Sequence, residues 1–344
     1  MNRAICFASL CASAPLRELA FLLAAACVCA ASASAEDRAR VILISVDGLR
    51  PDAISAEFTP TIDALRRRGV SAQRALNDLP SSTLPNHATM LTGLVQDVHG
   101  LVADFAIPGK IEFRTLFDFV ADAGLRCAFF ASKSKLEYLA PPDALETIRI
   151  NADQTALVDD LLPQLAPGGP DLIFLHLREP DSTGHRSGWM SPAYLAACGE
   201  SDRQIARVVE AADADPTRQT YLLITADHGG TGLSHFANTA EDREIPWIVV
   251  GPGIPAASIL DQTISTADTT PTVLMLLGVD TPPGLSGVAR SGILQRPPIA
   301  TSEDTALLLP PVGVPCVVFL APLLVAFVAV GRRRAAGLAS GRPS

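Results

Sequence analysis

Long apolar runs alternate with segments of helical pattern along most of this chain. The first run, RVILISVDGL, starts at residue 40 and ends in Asp-Gly. A strand that is buried on both faces reads as such a continuous run. Further runs are RCAFFAS, DLIFLHL, TYLLITADHGG and IPWIVVGPGI, and between the runs lie segments such as TPTIDALRRRG, with the proline start and glycine end of a helix. This alternation predicts an α/β domain around a mainly parallel sheet.

Apolar segments at both ends are set apart from this domain. The first closes with Ala33-Ser34-Ala35, small residues that are typical of a signal-peptide cleavage site. An uncleaved anchor helix is the alternative. The second is about as long as a membrane-spanning helix and is followed by Arg332-Arg333-Arg334, which should stay in the cytoplasm.

The chain is therefore predicted to be exported, with its domain in the periplasm or on the outer face. The C-terminal span would tether it to the membrane, or act as a sorting tail. The predicted parts are a signal peptide (1–35), a catalytic domain (36–297), a linker (298–309), a transmembrane or sorting-tail helix (310–331) and a short basic cytoplasmic tail (332–344).

The charge of the domain restricts its partners. With the two ends set aside, 21 basic and 35 acidic residues remain, so the domain carries about −14. A protein that binds nucleic-acid duplexes is normally basic, so no such binding is expected. An anionic substrate would be attracted by local charge, such as metal ions, and not by the overall field.

Acidic and histidine residues follow three of the predicted strands. In parallel α/β sheets, functional groups gather just beyond the carboxyl ends of strands. Mixed sets of Asp and His are what zinc uses in hydrolytic sites. Each motif taken singly also fits a turn or a solvated loop, but the set together predicts two divalent metal ions, with zinc the expected metal. The candidate ligands are Asp47, Asp181, His185, Asp227, His228 and His235.

A candidate nucleophile lies in the segment LPSSTLPNHATMLTGL. Ser81, Ser82 and Thr83 stand there before a helical segment opened by Pro85. A helix N-terminus offers free N–H groups and positive potential, which suit a phosphate oxygen and an alkoxide. Metal coordination would lower the pKa of a hydroxyl, as it does for bound water. The residues alone also fit an ordinary Ser/Thr helix cap.

Five strings occur in an order that is specific: ISVDGLRPD, SSTLPNHATMLTGLVQDVHGLV, EPDSTGH, ADHGG and DTTPTVLMLLG. Together they resemble the type I phosphodiesterase/nucleotide pyrophosphatase branch of the alkaline phosphatase superfamily, from about Val41 to Gly278. The resemblance implies a three-layer α/β sandwich with a mainly parallel central sheet. It also implies a two-metal hydrolase that cleaves phosphodiester or pyrophosphate bonds of a small phosphate-ester substrate through a covalent phospho-enzyme.

The resemblance also implies roles for single residues. The nucleophile is Thr83, two residues before Pro-Asn-His. One metal ion would be held by Asp47, Thr83, Asp227 and His228, and the other by Asp181, His185 and a third histidine. In shorter superfamily members, phosphopentomutase among them, that histidine comes soon after the Asp-His pair, which indicates His235.

Two substrate-binding positions depart from the family pattern. Asp104 stands where an Asn often donates to a phosphate oxygen, so it would have to be protonated or redirected. Leu84 stands where nucleotide-cleaving members usually have a Phe that stacks on the base. His87 and His99 are predicted to be structural, and His176 a core histidine.

Three alternatives to this function are open from the sequence alone. A phosphomonoesterase of the same fold is the first. A sulfatase fits less well, because sulfatases need Cys or Ser at the head of a Cys/Ser-x-Pro-x-Arg string, and the chain has Thr83 there with His87 as the last residue. A surface binding protein on a catalytically dead scaffold is disfavoured, because every metal position is filled.

Overall fold

The computed structural model describes residues 38–106 and 112–294. The predicted signal peptide, linker, C-terminal span and basic tail lie outside these ranges, and so remain predictions. Within the ranges, no helix combines the length and apolar character needed to cross a bilayer.

Eleven strands in the described ranges form two sheets. The larger contains β1 (Arg40–Val46), β2 (Val70–Ala72), β4 (Cys127–Ala131), β5 (Thr147–Ile150), β6 (Leu172–Leu177), β7 (Thr220–Thr225), β9 (Trp247–Val250) and β10 (Ser258–Leu260), and the smaller contains β3 (Ala75–Leu76), β8 (Glu244–Ile245) and β11 (Ile264–Ser265). The order in the larger sheet is β10-β2-β9-β7-β1-β6-β4-β5. Only β9 runs antiparallel to its neighbours there. The predicted, mainly parallel central sheet is confirmed.

Helices cover both faces of the larger sheet. They are α1 (Pro60–Arg68), α2 (Thr83–Thr92), α3 (Gln96–His99), α4 (Leu116–Asp122), α5 (Gln154–Leu161), α6 (Asp181–Ser187), α7 (Pro192–Asp213), α8 (Ala240–Arg243) and α9 (Thr269–Leu276), with short 3₁₀ turns such as Ser134–Leu139. Helices α1, α5 and α6 contact α7, whereas α2, α4 and α9 contact one another. All seven residues of β1 are buried although successive side chains point to opposite faces, so both faces are covered. This is the expected three-layer sandwich.

Strand register brings the ends of three strands together. In β1, Val46 pairs with Leu177 of β6, and Ser45 pairs with Thr225 of β7. Because all three strands are parallel, the residues that follow them lie at one edge of the sheet. The apolar runs of the sequence thus position the candidate ligands side by side.

Helix α2, which carries the predicted nucleophile, starts two residues earlier than its proline suggests. Ser82 has extended backbone angles, and α2 begins at Thr83, with Pro85 inside its first turn. Proline is tolerated there because the first N–H groups of a helix have no partner within it. Gly93, with φ of +69°, ends the helix. Thr83 therefore lies at the end of the helix where positive potential is greatest.

Candidate active site

Thr83 lies beside the group of acidic and histidine side chains. Its side chain is buried, and its Oγ1 lies 3.2 Å from Nζ of Lys133 and 3.5 Å from Nε2 of His228. Ser81 does not compete for this place, because its hydroxyl accepts a hydrogen bond from the Asn77 amide at 2.8 Å. In this segment, the Thr83 hydroxyl is thus the one that contacts His228 and Lys133.

One group of candidate metal ligands joins the ends of β1 and β7. Asp47, Asp227 and His228 are buried and each offers a ligand atom within 4.8 Å of the others. Nε2 of His228 lies 3.5 Å from Oδ1 of Asp47 and 3.3 Å from Oδ2 of Asp227. The other Asp227 oxygen accepts from the backbone N–H groups of Gly48 and His228, which fixes the carboxylate.

A second group lies beside the first. Asp181, His228 and His235 satisfy the same distance limit, and the rings of His228 and His235 stack with centroids 3.8 Å apart. His185 is close by, with Nε2 3.4 Å from Oδ1 of Asp181. All the ligand residues predicted from the sequence therefore lie close together. His228 belongs to both groups.

The three histidines share one arrangement. Nδ1 of His185 donates to the Leu233 carbonyl at 2.9 Å, Nδ1 of His228 donates to the Gly229 carbonyl at 2.8 Å, and Nδ1 of His235 donates to the carbonyl of Ser81. A backbone carbonyl on one nitrogen fixes the tautomer that leaves the lone pair on the other. Each Nε2 is thus available as a ligand atom.

The carboxylates have unmet bonding capacity that a cation would satisfy. Oδ1 of Asp47, Oδ1 of Asp181 and Oδ2 of Asp227 are buried without a hydrogen-bond partner in the described part of the chain. Burial and the neighbouring Asp47 carboxylate raise the pKa of Asp227 to about 7. Burial lowers the pKa of His235 to about 2, which keeps its ring neutral, as a metal ligand requires. Buried, unpaired carboxylate oxygens are costly, so this donor set fits divalent metal ions.

Lys133 is a member of the site that the sequence motifs did not indicate. Its Nζ lies 2.7 Å from Oδ2 of Asp47 and 2.7 Å from Oδ2 of Asp181, between the two groups of ligands. Burial alone would lower the pKa of this ammonium, but the Asp47 and Asp181 carboxylates outweigh burial and raise it. The sequence held one signal for this role: Lys133 follows β4 by two residues, and β4 is the neighbour of β6 in the sheet.

His176 and His87 support the site from within the core. The ring of His176 bonds through Nε2 to Oδ2 of Asp47 at 2.8 Å, so the predicted core histidine also holds a candidate ligand in place. His87 bonds through Nδ1 to the Thr83 carbonyl at 2.7 Å and through Nε2 to the Ser45 hydroxyl at 2.8 Å. Burial lowers the pKa of both rings. Neutral imidazoles thus orient the Asp47 carboxylate and the backbone at Thr83.

Neither of the two substrate-binding candidates, Asp104 and Leu84, is free to contact a substrate as the family pattern would have it. Asp104 accepts from the backbone N–H of Leu84 at 2.9 Å and pairs with Lys135 at 2.7 Å, so its charge is redirected to a lysine. The Leu84 side chain is fully buried, so it offers no surface on which a base could stack. An exposed aromatic, Phe236, instead packs beside His235, with ring centroids 4.2 Å apart.

The spacing between two candidate ligands, Asp47 and Asp181, depends on Gly48, and a substitution there should change that spacing. Gly48 has φ of +71°, and a Cβ added there would lie 2.8 Å from Cβ of Asp181. We expect Gly48→Ala to cost roughly 1–3 kcal/mol in backbone strain and also to push Asp181 away from Asp47. Thermal unfolding and metal content of the purified protein measure the two effects.

Gly278→Ala is the matched control for this prediction. Gly278 has φ of +70°, and an added Cβ would meet nothing within 4 Å. It should lose similar stability through backbone strain and keep its metal content. Equal metal content in both variants would contradict the role given to the close approach at Gly48.

Fold and site together define a class: three-layer α/β proteins in which the start of a helix, here Thr83, lies beside buried Asp and His residues that could hold metal ions. The profile of the family described as type I phosphodiesterase/nucleotide pyrophosphatase matches residues 41–115 and 114–250. The chain belongs to this family, whose name is that of enzymes that cleave phosphoester bonds. The expected family and fold are confirmed.

Curated relatives and solved structures agree with this family. The chain is 27% identical over 224 residues to human ectonucleotide pyrophosphatase/phosphodiesterase family member 7, covering 56% of this chain and 48% of that protein. It is 25% identical over 236 residues to venom phosphodiesterase of Macrovipera lebetinus, covering 60% of this chain and 28% of that protein. The chain thus spans about half the length of the human relative and less of the viper enzyme.

The fold is shared with enzymes of several names. Murine ectonucleotide pyrophosphatase/phosphodiesterase 5 in complex with AMP superposes with a TM-score of 0.63 at 16% identity, covering 75% of this chain and all of that one. A phosphonate monoester hydrolase from Silicibacter pomeroyi gives a TM-score of 0.62 at 16% identity, covering 76% and 78%. At these identities the likeness shows the fold alone.

Proposed function

We propose that this protein is an exported, metal-dependent hydrolase of phosphodiester or pyrophosphate bonds, with Thr83 as its nucleophile. The observation that carries the proposal is the convergence of three buried carboxylates and three histidines, one of which, His228, contacts Oγ1 of Thr83, with carboxylate oxygens left unpaired. Family membership supports the type of bond. The names of the human and viper relatives, an ectoenzyme and a venom enzyme, support export.

The chain's own residues would hold two divalent ions. Asp47, Thr83, Asp227 and His228 would hold one, and Asp181, His185 and His235 the other, and zinc suits this mixture of Asp and His. Bound ions would supply Lewis-acid chemistry that neutralises phosphate charge and favours the alkoxide of Thr83. His176 and His87 would keep the Asp47 carboxylate and the backbone at Thr83 in position.

The reaction of the ester would run in two displacements. Oγ1 of Thr83, having lost its proton to solvent, would attack phosphorus and form a P–O bond while the P–O bond to the alcohol breaks, and the leaving oxygen takes a proton from solvent. Water would then attack the same phosphorus, lose a proton to solvent and break the bond to Oγ1, which regains its proton. The N-terminus of α2 and the Lys133 ammonium, 3.2 Å from Oγ1, stabilise negative charge at this point throughout.

A nitrophenyl assay tests the proposed bond type. The purified protein with zinc should hydrolyse bis(p-nitrophenyl) phosphate faster than p-nitrophenyl phosphate, and a chelator should abolish both activities. Lys133 beside the nucleophile would suit the extra negative charge of a monoester, so a phosphomonoesterase is the second candidate. Faster monoester turnover would establish that alternative. Metal binding without turnover of either ester would identify a binding protein.

The predicted membrane span should act only as a tether. All proposed ligands lie before residue 240, and the buried strands of the described residues form one apolar core. We therefore expect residues 36–305, expressed with zinc, to be soluble and to match the specific activity of the full chain in detergent. Insoluble or inactive protein would contradict the anchor interpretation.

A further inference from the structure

A cavity with a basic lining lies at the same sheet edge as Thr83. It has a volume of about 400 Å³, and its polar lining comes from Ser132, Lys133, Ser134, Lys135 and Arg178, which we call the basic cavity. Ser132 directly follows β4, and Arg178 directly follows β6, its neighbour in the sheet. The volume lies within the range of about 300–1,000 Å³ that is common for small-molecule sites.

The basic cavity is connected to the nucleophile through one residue. Lys133 lines the cavity, and its Nζ reaches Oγ1 of Thr83 at 3.2 Å. Lys135 lines the same cavity, and its partner Asp104 accepts from the N–H of Leu84, directly after the nucleophile. Lys133 and Lys135 therefore join the lining of the cavity to the start of α2, where Thr83 lies.

The charge in the basic cavity is not neutralised by its own lining. It contains three cationic side chains and no carboxylate. Lys133 pairs with Asp47 and Asp181, and Lys135 pairs with Asp104, all outside the lining. Arg178 forms no ion pair in the described ranges, and its Nε donates only to the Ser182 hydroxyl, at 3.1 Å. An unpaired guanidinium in a domain of about −14 charge is a concentrated local attraction for an anion, and its planar N–H groups match a carboxylate or phosphate.

We propose that the basic cavity binds a second negatively charged group of the substrate, attached to the phosphorus that Thr83 attacks. The inference rests on the proposed function and names its substrate class: phosphate esters that also carry a carboxylate or a further phosphate or phosphonate. Selectivity would come from charge at Arg178 and Lys135, because the buried Leu84 offers no stacking surface. Carboxylate and phosphonate share the chemistry that the cavity recognises.

Three matched diesters test this inference. They are p-nitrophenyl phenyl phosphate and its derivatives with a carboxylate or a phosphonate at the para position of the phenyl ring. Since a hydrogen bond to a charged group contributes about 1.5–3 kcal/mol, we expect kcat/KM for a charged diester to exceed that for the phenyl diester by roughly 10- to 100-fold. Comparison of the two charged diesters shows which anion the cavity prefers.

Substitution of Arg178 tests whether the preference for charged diesters depends on the basic cavity. Arg178→Met should bring the ratio of charged to uncharged kcat/KM close to one, and Arg178→Lys should restore part of it. Arg203→Met is the charge-matched control, because Arg203 is exposed on α7 and pairs with Glu200. This control should keep the wild-type ratio.

Each result has a separate meaning. A ratio near one in the wild-type protein would overturn the inference and leave the proposed function standing. A high ratio that survives Arg178→Met would overturn the assignment to the basic cavity. Failure to hydrolyse any of the three diesters would overturn the proposed function, and the inference with it.

Discussion

Thr83→Ala should lower turnover of a phosphodiester by on the order of 10³-fold or more, while the protein stays folded. The reason is the loss of the hydroxyl that faces both His228 and Lys133. Removing a covalent nucleophile removes the pathway that it provides, and binding alone gives little residual rate. Because three or more ligands remain for each ion, most metal binding should persist. Steady-state kinetics, circular dichroism and metal analysis measure these three outcomes.

Ser82→Ala is the matched control for the nucleophile. Ser82 immediately precedes α2, and its side chain makes no capping hydrogen bond. It should retain activity close to that of the wild-type protein. If Ser82→Ala lost activity and Thr83→Ala kept it, the assignment of the nucleophile would be wrong by one residue.

His235→Ala should release one of two bound metal ions and most of the activity. His235 stacks on His228 and belongs to the ligand group of Asp181, and its Nδ1 contact with the Ser81 carbonyl leaves Nε2 as the ligand atom. Even loss of a group that only supports a ligand costs about 10- to 100-fold in affinity or activity, so loss of a ligand should cost at least that. Metal stoichiometry after dialysis is the decisive measurement.

His99→Ala is a useful control for that experiment. His99 is also a buried histidine, but its ring contacts the Thr89 hydroxyl and the Leu101 backbone, away from the ligand groups. It should lose stability and keep both metal ions. Two tightly held ions in His235→Ala would exclude His235 as a ligand.

The candidate ligands could be predicted from the sequence because the geometry of a parallel sheet is simple. Asp47, Asp181 and Asp227 come just after the apolar strands β1, β6 and β7, and parallel strands bring such positions to one edge. Helix α1 was equally predictable, since it begins at Pro60 and ends before Gly69. These features depend on local pattern and on one general rule of topology.

Contacts between distant side chains could not be obtained in this way. Lys133 reaches residues 48 and 50 positions away in the chain, and its reach depends on the path of the 3₁₀ turn after β4. His176 looked like an ordinary core residue, because a buried strand does not reveal which neighbour its ring contacts. The pairing of Asp104 with Lys135 likewise depends on how two loops meet.

The stereochemical course at phosphorus tests the central claim most directly. A phosphorothioate diester of known chirality can be hydrolysed in ¹⁸O-labelled water and the configuration of the product determined. Attack by Thr83 followed by attack by water is two in-line displacements, so the account predicts net retention of configuration. Net inversion would mean that water attacks the substrate directly, and it would contradict a covalent intermediate on Thr83.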